Sequence, residues 1–141
     1  MDVLNNLKEK FSNRIKNTME HSPKRVYVEI DKKDILVFSS YLFKEQGLRL
    51  VTASGIDTPE GLEILYHFSS DKTPLIISLR VVIENKEHPE IDSLAHLIRG
   101  AEWIEREMWE LLGINFIGHP NLTHLLLIDD WPEGKYPLRH K

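Results

Sequence analysis

Cysteine is absent from all 141 residues, which excludes disulfides, thiol nucleophiles, Cys-ligated zinc and any iron–sulfur cluster held by this chain alone. Redox chemistry near this chain would therefore belong to a partner. Long apolar runs are missing as well. No stretch approaches the roughly 20 residues of a spanning helix, and the start MDVLNNLKEKF has early acids and no apolar leader core. A soluble, cytoplasmic chain is expected. The seven glycines never cluster as a phosphate cradle requires, and GxGxxG, Walker A, GxSxG and HExxH motifs are all absent. Internal repeats and low-complexity tracts are lacking too.

A basic excess is also lacking. The net charge of −4 argues against nucleic acid, because Trp103, Trp109, Trp131 and Tyr136 could stack on bases only beside a basic groove, and the charge around them is mostly acidic. What charge there is divides unevenly. Residues 1–33 carry eight Lys/Arg against five Asp/Glu, residues 84–110 carry three against eight, and the last seven add Lys135, Arg139 and Lys141 without an acid. That basic tip suits an anionic protein surface.

With 41% hydrophobic and 28% charged residues, the chain has the composition and size of one ordinary globular domain. Leu4, Leu7, Phe11 and Ile15 repeat at helical spacing, predicting a surface helix over 3–19. RVYVEI at 25–30 alternates as a first strand. Asp31 and Asp34 suit a helix start and Gly47 a helix stop, with Ile35, Phe38 and Leu42 on the apolar face between them. Strand-like runs at 48–54, 62–68 and 75–83, separated by turn residues, predict an antiparallel meander. In the last of them Leu75, Ile77, Leu79, Val81 and Ile83 share one face, and Ser78, Arg80 and Glu84 the other. A helical region follows from Asp92 to Leu112, bent near Gly100 and ended by Gly113, with Leu94, Ile98, Ala101, Ile104, Met108 and Leu111 as its buried stripe.

The fold expected is α+β: a four-stranded mixed or antiparallel sheet with a β-α-β-β-β core, helices on one face, and an extended C-terminal arm. Residues 1–90 form the platform, and 91–141 the helix and docking arm of the same domain.

Two groups of residues invite a chemical reading. Glu102, Glu105, Glu107 and Glu110 are four acids close together on a helix. With Arg106 four residues from both Glu102 and Glu110, they read better as a self-paired polar helix surface than as a catalytic cluster. His119, His124 and His140 supply imidazoles without a scaffold, and His119, before Pro120, sits in an extended segment where a loop hydrogen bond is the commoner role. A stand-alone metal-dependent enzyme using these His and Glu side chains is the competing class.

The stretch after Gly113 is too long and too apolar for an idle loop. It carries Ile114, Phe116, Ile117, Leu122, Leu125 to Ile128, Trp131 and Leu138 among turn residues. The residues alone leave open whether it folds back on the platform or lies on another subunit.

As a set, Glu105-Arg106-Glu107, Trp109 to Ile114 with Gly113, Phe116, Gly118-His119-Pro120 and Pro137-Leu138-Arg139 resemble the C subunit of respiratory complex I. The ending Asp130-Trp131-Pro132-Glu133-Gly134, Tyr136 to Arg139 is similar to the equivalent small subunit in energy-converting membrane-bound [NiFe] hydrogenases and related complexes that reduce sulfur compounds or oxidise formate or carbon monoxide. Glu110 stands where an Asp is usual in complex I, and the chain stops just after Leu138-Arg139, which favours the short hydrogenase-type subunit. The resemblance implies a non-catalytic subunit without cofactors in the peripheral arm, on the cytoplasmic side of the membrane and attached only through its complex. Its partners would be a large catalytic subunit related to [NiFe] hydrogenase and a small iron–sulfur subunit. The C subunit of complex I proper (the NADH dehydrogenase) and a sulfur-reducing relative are the alternatives within the resemblance. The interface residues it implies are Glu105, Arg106, Glu107, Trp109, Gly113, Ile114, Phe116, Gly118, His119, Pro120, Trp131, Pro132, Gly134, Tyr136, Pro137, Leu138 and Arg139.

Overall fold

The computed structural model describes residues 3–122 and 136–139. His124, Trp131, Pro132, Gly134 and His140 lie outside the described residues, and so do the turns and anchors expected of them.

The chain begins with α1 (Val3–Lys10), which buries Leu4 and Leu7. The helix expected to run to Met19 stops at this point. Ser12 and Asn13 compete with helical backbone bonding, and Ile15–Ser22 forms a strand, β1. β1 pairs antiparallel with β2 (Arg25–Ile30) across a tight turn at 22–25. Next, Asp31 accepts a hydrogen bond from the Lys33 amide and starts a short 3-10 turn that leads into α2 (Ile35–Ser40). One π-helical turn, Tyr41–Glu45, ends before Gly47, whose φ of 71° only glycine adopts freely.

Strands β3 (Arg49–Thr58), β4 (Gly61–Ser69) and β5 (Ile76–Ile83) form the expected antiparallel meander. β5 also pairs parallel with β2, so the sheet has five strands in the order β1-β2-β5-β4-β3 rather than four. β6 (Glu90–Asp92) and β7 (Asn115–Ile117) make a separate parallel pair, and between them lies α3 (Ala101–Leu112). The helix expected from Asp92 is therefore confined to its second half. Residues 90–92 are drawn into a strand by Asn115–Ile117 of the segment after Gly113.

Alternation decides what is inside. Val26, Val28 and Ile30 of β2, Leu62, Ile64, Tyr66 and Phe68 of β4, and Ile77, Leu79, Val81 and Ile83 of β5 are buried in one core with Leu4, Leu7, Phe38, Leu42, Met108 and Leu112. Phe11 stacks on Phe38 at 4.3 Å and meets Tyr41 edge-on at 5.4 Å. The opposite side of the sheet is tied by Arg80 of β5, which donates to Glu63 on β4 (2.6 Å) and Glu29 on β2 (2.9 Å). Three adjacent strands thereby share one guanidinium.

Candidate functional site

The site is the C-terminal half of the long helical region, where the family-like residues gather. α3 presents Ala101, Glu105, Met108 and Leu112, spaced i, i+4, i+7 and i+11, to the interior. It reaches the sheet at Gly55 of β3. A β-carbon there would lie 2.6 Å from Leu112 Cδ1 and 3.3 Å from Met108 Sδ, so only glycine lets the helix sit this close.

The end of α3 is closed by residues from the far end of the chain. Gly113 takes the left-handed conformation (φ 77°), and its amide bonds the Trp109 carbonyl at 2.9 Å. The next helix-end carbonyls would otherwise lack partners. Leu111 accepts from the Leu138 amide at 3.0 Å, and Leu112 accepts from Arg139 Nε at 2.6 Å. A cation at this end also complements the helix dipole. The Tyr136 ring packs on Gly113, where an added β-carbon would lie 2.6 Å from its Cε2, and the Arg139 guanidinium lies 5.6 Å from the same ring's centroid. Thus Gly113, Tyr136, Leu138 and Arg139, separated in sequence, form one latch. At this point the chain folds back on itself.

The beginning of α3 is joined to its surroundings by Glu105. This carboxylate is 1% exposed. It accepts from Ser93 Oγ at 2.6 Å and from the Leu94 amide at 2.7 Å. Burial pushes its pKa up to about 7, against the opposing pull of those two hydrogen bonds. The fully buried Tyr66 hydroxyl has its pKa raised well above the usual value by desolvation first and by Glu105 second.

His119 comes within 4.0 Å of Glu105. Its Nδ1 accepts the Asn121 amide at 3.0 Å, so its Nε2 carries the proton and donates to the Glu102 carbonyl at 2.9 Å. The imidazole is a neutral peg between the start of α3 and the turn at Gly118 (φ 86°). His96 Nε2 meets the Gly118 carbonyl at 2.8 Å, and the Ser93 amide bonds the Ile117 carbonyl at 2.9 Å.

Of the residues singled out from sequence, Glu105, Gly113, Ile114, Phe116, Gly118, His119, Tyr136, Leu138 and Arg139 belong to this joint or its core. Ile114 and Phe116 are fully buried, whereas Glu107 and Pro120 are exposed. Trp109 is half-buried, and Arg106 lays its guanidinium 5.3 Å from the ring of Trp103, which is 59% exposed. The expectation of one polar helix surface is corrected. Glu105 and Glu110 are buried, at 1% and 2% exposed, while Glu102 is half-buried and Glu107 exposed. The spacing of Glu105 from Ala101, Met108 and Leu112 was the available signal. Ser93, Tyr66 and Gly55 were missed, and only Gly55, a glycine inside a strand, left a trace in the sequence.

Among the described residues no group of three or more His, Asp or Glu side chains is placed to hold a metal ion, and no helix is long and apolar enough to cross a membrane.

A family model described as respiratory-chain NADH dehydrogenase, 30 Kd subunit, matches residues 28–141. The C subunit of F(420)H(2) dehydrogenase from Methanosarcina mazei is 35% identical over 140 residues, covering 97% of this chain and 87% of that protein. The C subunit of NADH-quinone oxidoreductase from Chloroherpeton thalassium is 32% identical over 138 residues, 94% of this chain and 56% of its own length. The C/D protein of the same enzyme from Phocaeicola vulgatus is 42% identical over 80 residues, and only 15% of it is matched, so this chain spans a small part of that relative. In fold, a chain of the membrane-bound sulfane sulfur reductase, an archaeal respiratory membrane complex, superposes with a TM-score of 0.82 at 19% identity over 97% of this chain and 81% of its own. The trypsin-resistant fragment of Nqo5 gives 0.69 at 22% identity over 85% of this chain and 96% of the fragment.

Proposed function

The chain belongs to the family of the 30 kDa subunit of respiratory-chain NADH dehydrogenase, and on that premise we propose that it is a structural, non-catalytic subunit of a membrane-bound complex I-like respiratory complex. In this reading residues 1–90 are the platform and 91–141 the docking part. The protein sits on the cytoplasmic side of the membrane and grips a large catalytic subunit related to [NiFe] hydrogenase and its small iron–sulfur neighbour.

The observation that carries the reading is the latch. Leu138 and Arg139 return to the carbonyls of Leu111 and Leu112, directly beside Gly113, where the segment leaves the helix. Both ends of a long apolar segment are therefore pinned to one rigid helix end. That arrangement fixes where the segment leaves the helix and where it returns to it, which suits a segment that docks on a partner. Trp103, exposed and covered by the Arg106 guanidinium, adds the kind of side chains that dominate interfaces.

Two assignments of the complex follow from different observations. The Asp130–Arg139 ending supports an energy-converting hydrogenase. The 35% identity with an F(420)H(2) dehydrogenase subunit over nearly the whole chain supports a subunit of a dehydrogenase of that kind. Affinity purification of the tagged full chain from membranes, with identification of co-purifying chains and assay for hydrogen, reduced-cofactor oxidation and sulfur reduction, tests both. A large hydrogenase-like subunit is expected to dominate. Recovery of the chain alone, or undiminished assembly after truncation following Leu127, would overturn the docking role.

A further inference from the structure

We propose that the joint between α3, the turn at residues 93–98 and the turn at Gly118 is a pH-sensitive hinge, closed while the Glu105 carboxyl holds a proton and loosened when that proton leaves. This regulation goes beyond the docking role and does not depend on the partner's identity.

The geometry is that of a carboxyl group buried, among the described residues, without a counter-charge. Glu105 is 1% exposed, and its described hydrogen bonds come from two uncharged donors, Ser93 Oγ and the Leu94 amide. The described basic group that meets it is the His119 imidazole at 4.0 Å, which the Asn121 amide holds in a neutral tautomer. Arg106, its neighbour on α3, stacks on Trp103. From β4 the fully buried Tyr66 faces it with a hydroxyl that has no hydrogen-bond partner among the described residues. From the 93–98 turn the titratable group is His96, exposed, with its Nε2 at the Gly118 carbonyl.

An unpaired buried carboxylate is costly, and the cost is relieved either by taking a proton or by opening to water. The neutral acid can donate to Ser93 Oγ while still accepting from Leu94. The ionised form gains more from hydration, and opening the Ser93–Leu94 contact gives it access to water. Proton linkage then fixes the direction: the state that binds the proton more tightly, the closed one, is favoured as pH falls.

The hinge matters because the same turn is bonded to the beginning of the docking segment, through the Ser93 amide to Ile117 and through His96 to Gly118. Loosening it frees the segment at its root.

The test is nuclear magnetic resonance on the isotopically labelled full chain between about pH 5.5 and about pH 8.5. The Glu105 Cδ resonance and the Leu94 amide should titrate with one shared midpoint near neutrality. The heteronuclear NOE of residues 93–98, which reports fast backbone motion, should fall at the high-pH end. Glu105→Gln should abolish both changes, and His96→Gln should leave the shared titration in place. A wild-type Leu94 amide that ignores pH, an NOE that does not change, or a titration that persists in Glu105→Gln or vanishes in His96→Gln would each overturn the proposal. The wild-type measurement decides even where a variant fails to fold.

Discussion

The side chain of Arg139 spans 27 residues of sequence to donate its Nε proton to the carbonyl of Leu112, at 2.6 Å. A guanidinium thus completes a helix end that the helix's own sequence leaves open, since no basic residue lies in the last turn of α3. Arg139→Ala should destabilise the folded chain by about 1–2 kcal/mol, the scale of a hydrogen bond from a charged group together with the helix-dipole contribution. Urea denaturation midpoints of wild type and variant measure it, and an unchanged midpoint would show that the cap is dispensable.

Gly113 and Tyr136 form the packed half of the same latch. Gly113→Ala introduces both a strained left-handed backbone and a methyl group into the space filled by the tyrosine ring, so a loss of roughly 2 kcal/mol is expected. Tyr136→Ala in the same chain should recover part of it, leaving the backbone component. A double-mutant cycle with a coupling energy of at least about 0.5 kcal/mol is the expected result, and simple additivity would contradict the contact.

Protonation of Glu105 should tune stability in a direction opposite to that of an ordinary ion-paired carboxylate. Its folded pKa of about 7 lies above the ordinary value of 4.5, so the folded chain holds the proton more tightly than the unfolded one. The stability gained from that proton is fully present below about pH 4.5, declines as pH rises and is gone above about pH 7. Thermal midpoints of wild type and Glu105→Gln across this window should show the decline in the wild type only. Parallel curves would assign it to other groups.

Arg80 satisfies two carboxylates on the sheet face away from the helices, and Glu63 is only 9% exposed. Arg80→Ala should therefore cost more than a surface ion pair, on the order of 2–3 kcal/mol, because a nearly buried acid loses its cation. Pairing the change with Glu63→Gln should restore a good part of that stability in the same denaturation assay. A loss below about 0.5 kcal/mol for the single variant would reduce the pair to the ordinary surface kind.

The legible parts of the fold were those set by short-period patterning. The alternation of Ile77, Leu79, Val81 and Ile83 and the turns around Gly61 and Pro74 specify β4 and β5 with little outside help, and Gly47 and Gly113 mark helix ends through their backbone freedom. What failed was decided by distant pairing. Ile15 fits the helical stripe of Leu4, Leu7 and Phe11, yet it belongs to a strand because β2 offers an edge to pair with. Asp92 likewise reads as the start of a helix, yet it belongs to the strand of residues 90–92 because Asn115–Ile117 pairs with it. At the candidate site, the family-like residues drew attention to the correct region, but Glu105 read as a surface acid because its burial depends on Ser93 and on β4. The latch was invisible because its halves, Gly113 and Tyr136 to Arg139, carry no local signal of each other.

Strand order has one more consequence, for the chain as it is being made. β2 is synthesised early, but its inner edge pairs with β5, Arg25 opposite Ile76 and Val28 opposite Leu79. At ordinary elongation rates the roughly 45 intervening residues take about 2–9 s to appear. Until β5 has been made, the inner edge of β2 lacks the strand it pairs with in the finished sheet. Translation speed between Asp31 and Leu75, rather than final stability, sets how long the newborn protein is open to capture by other chains.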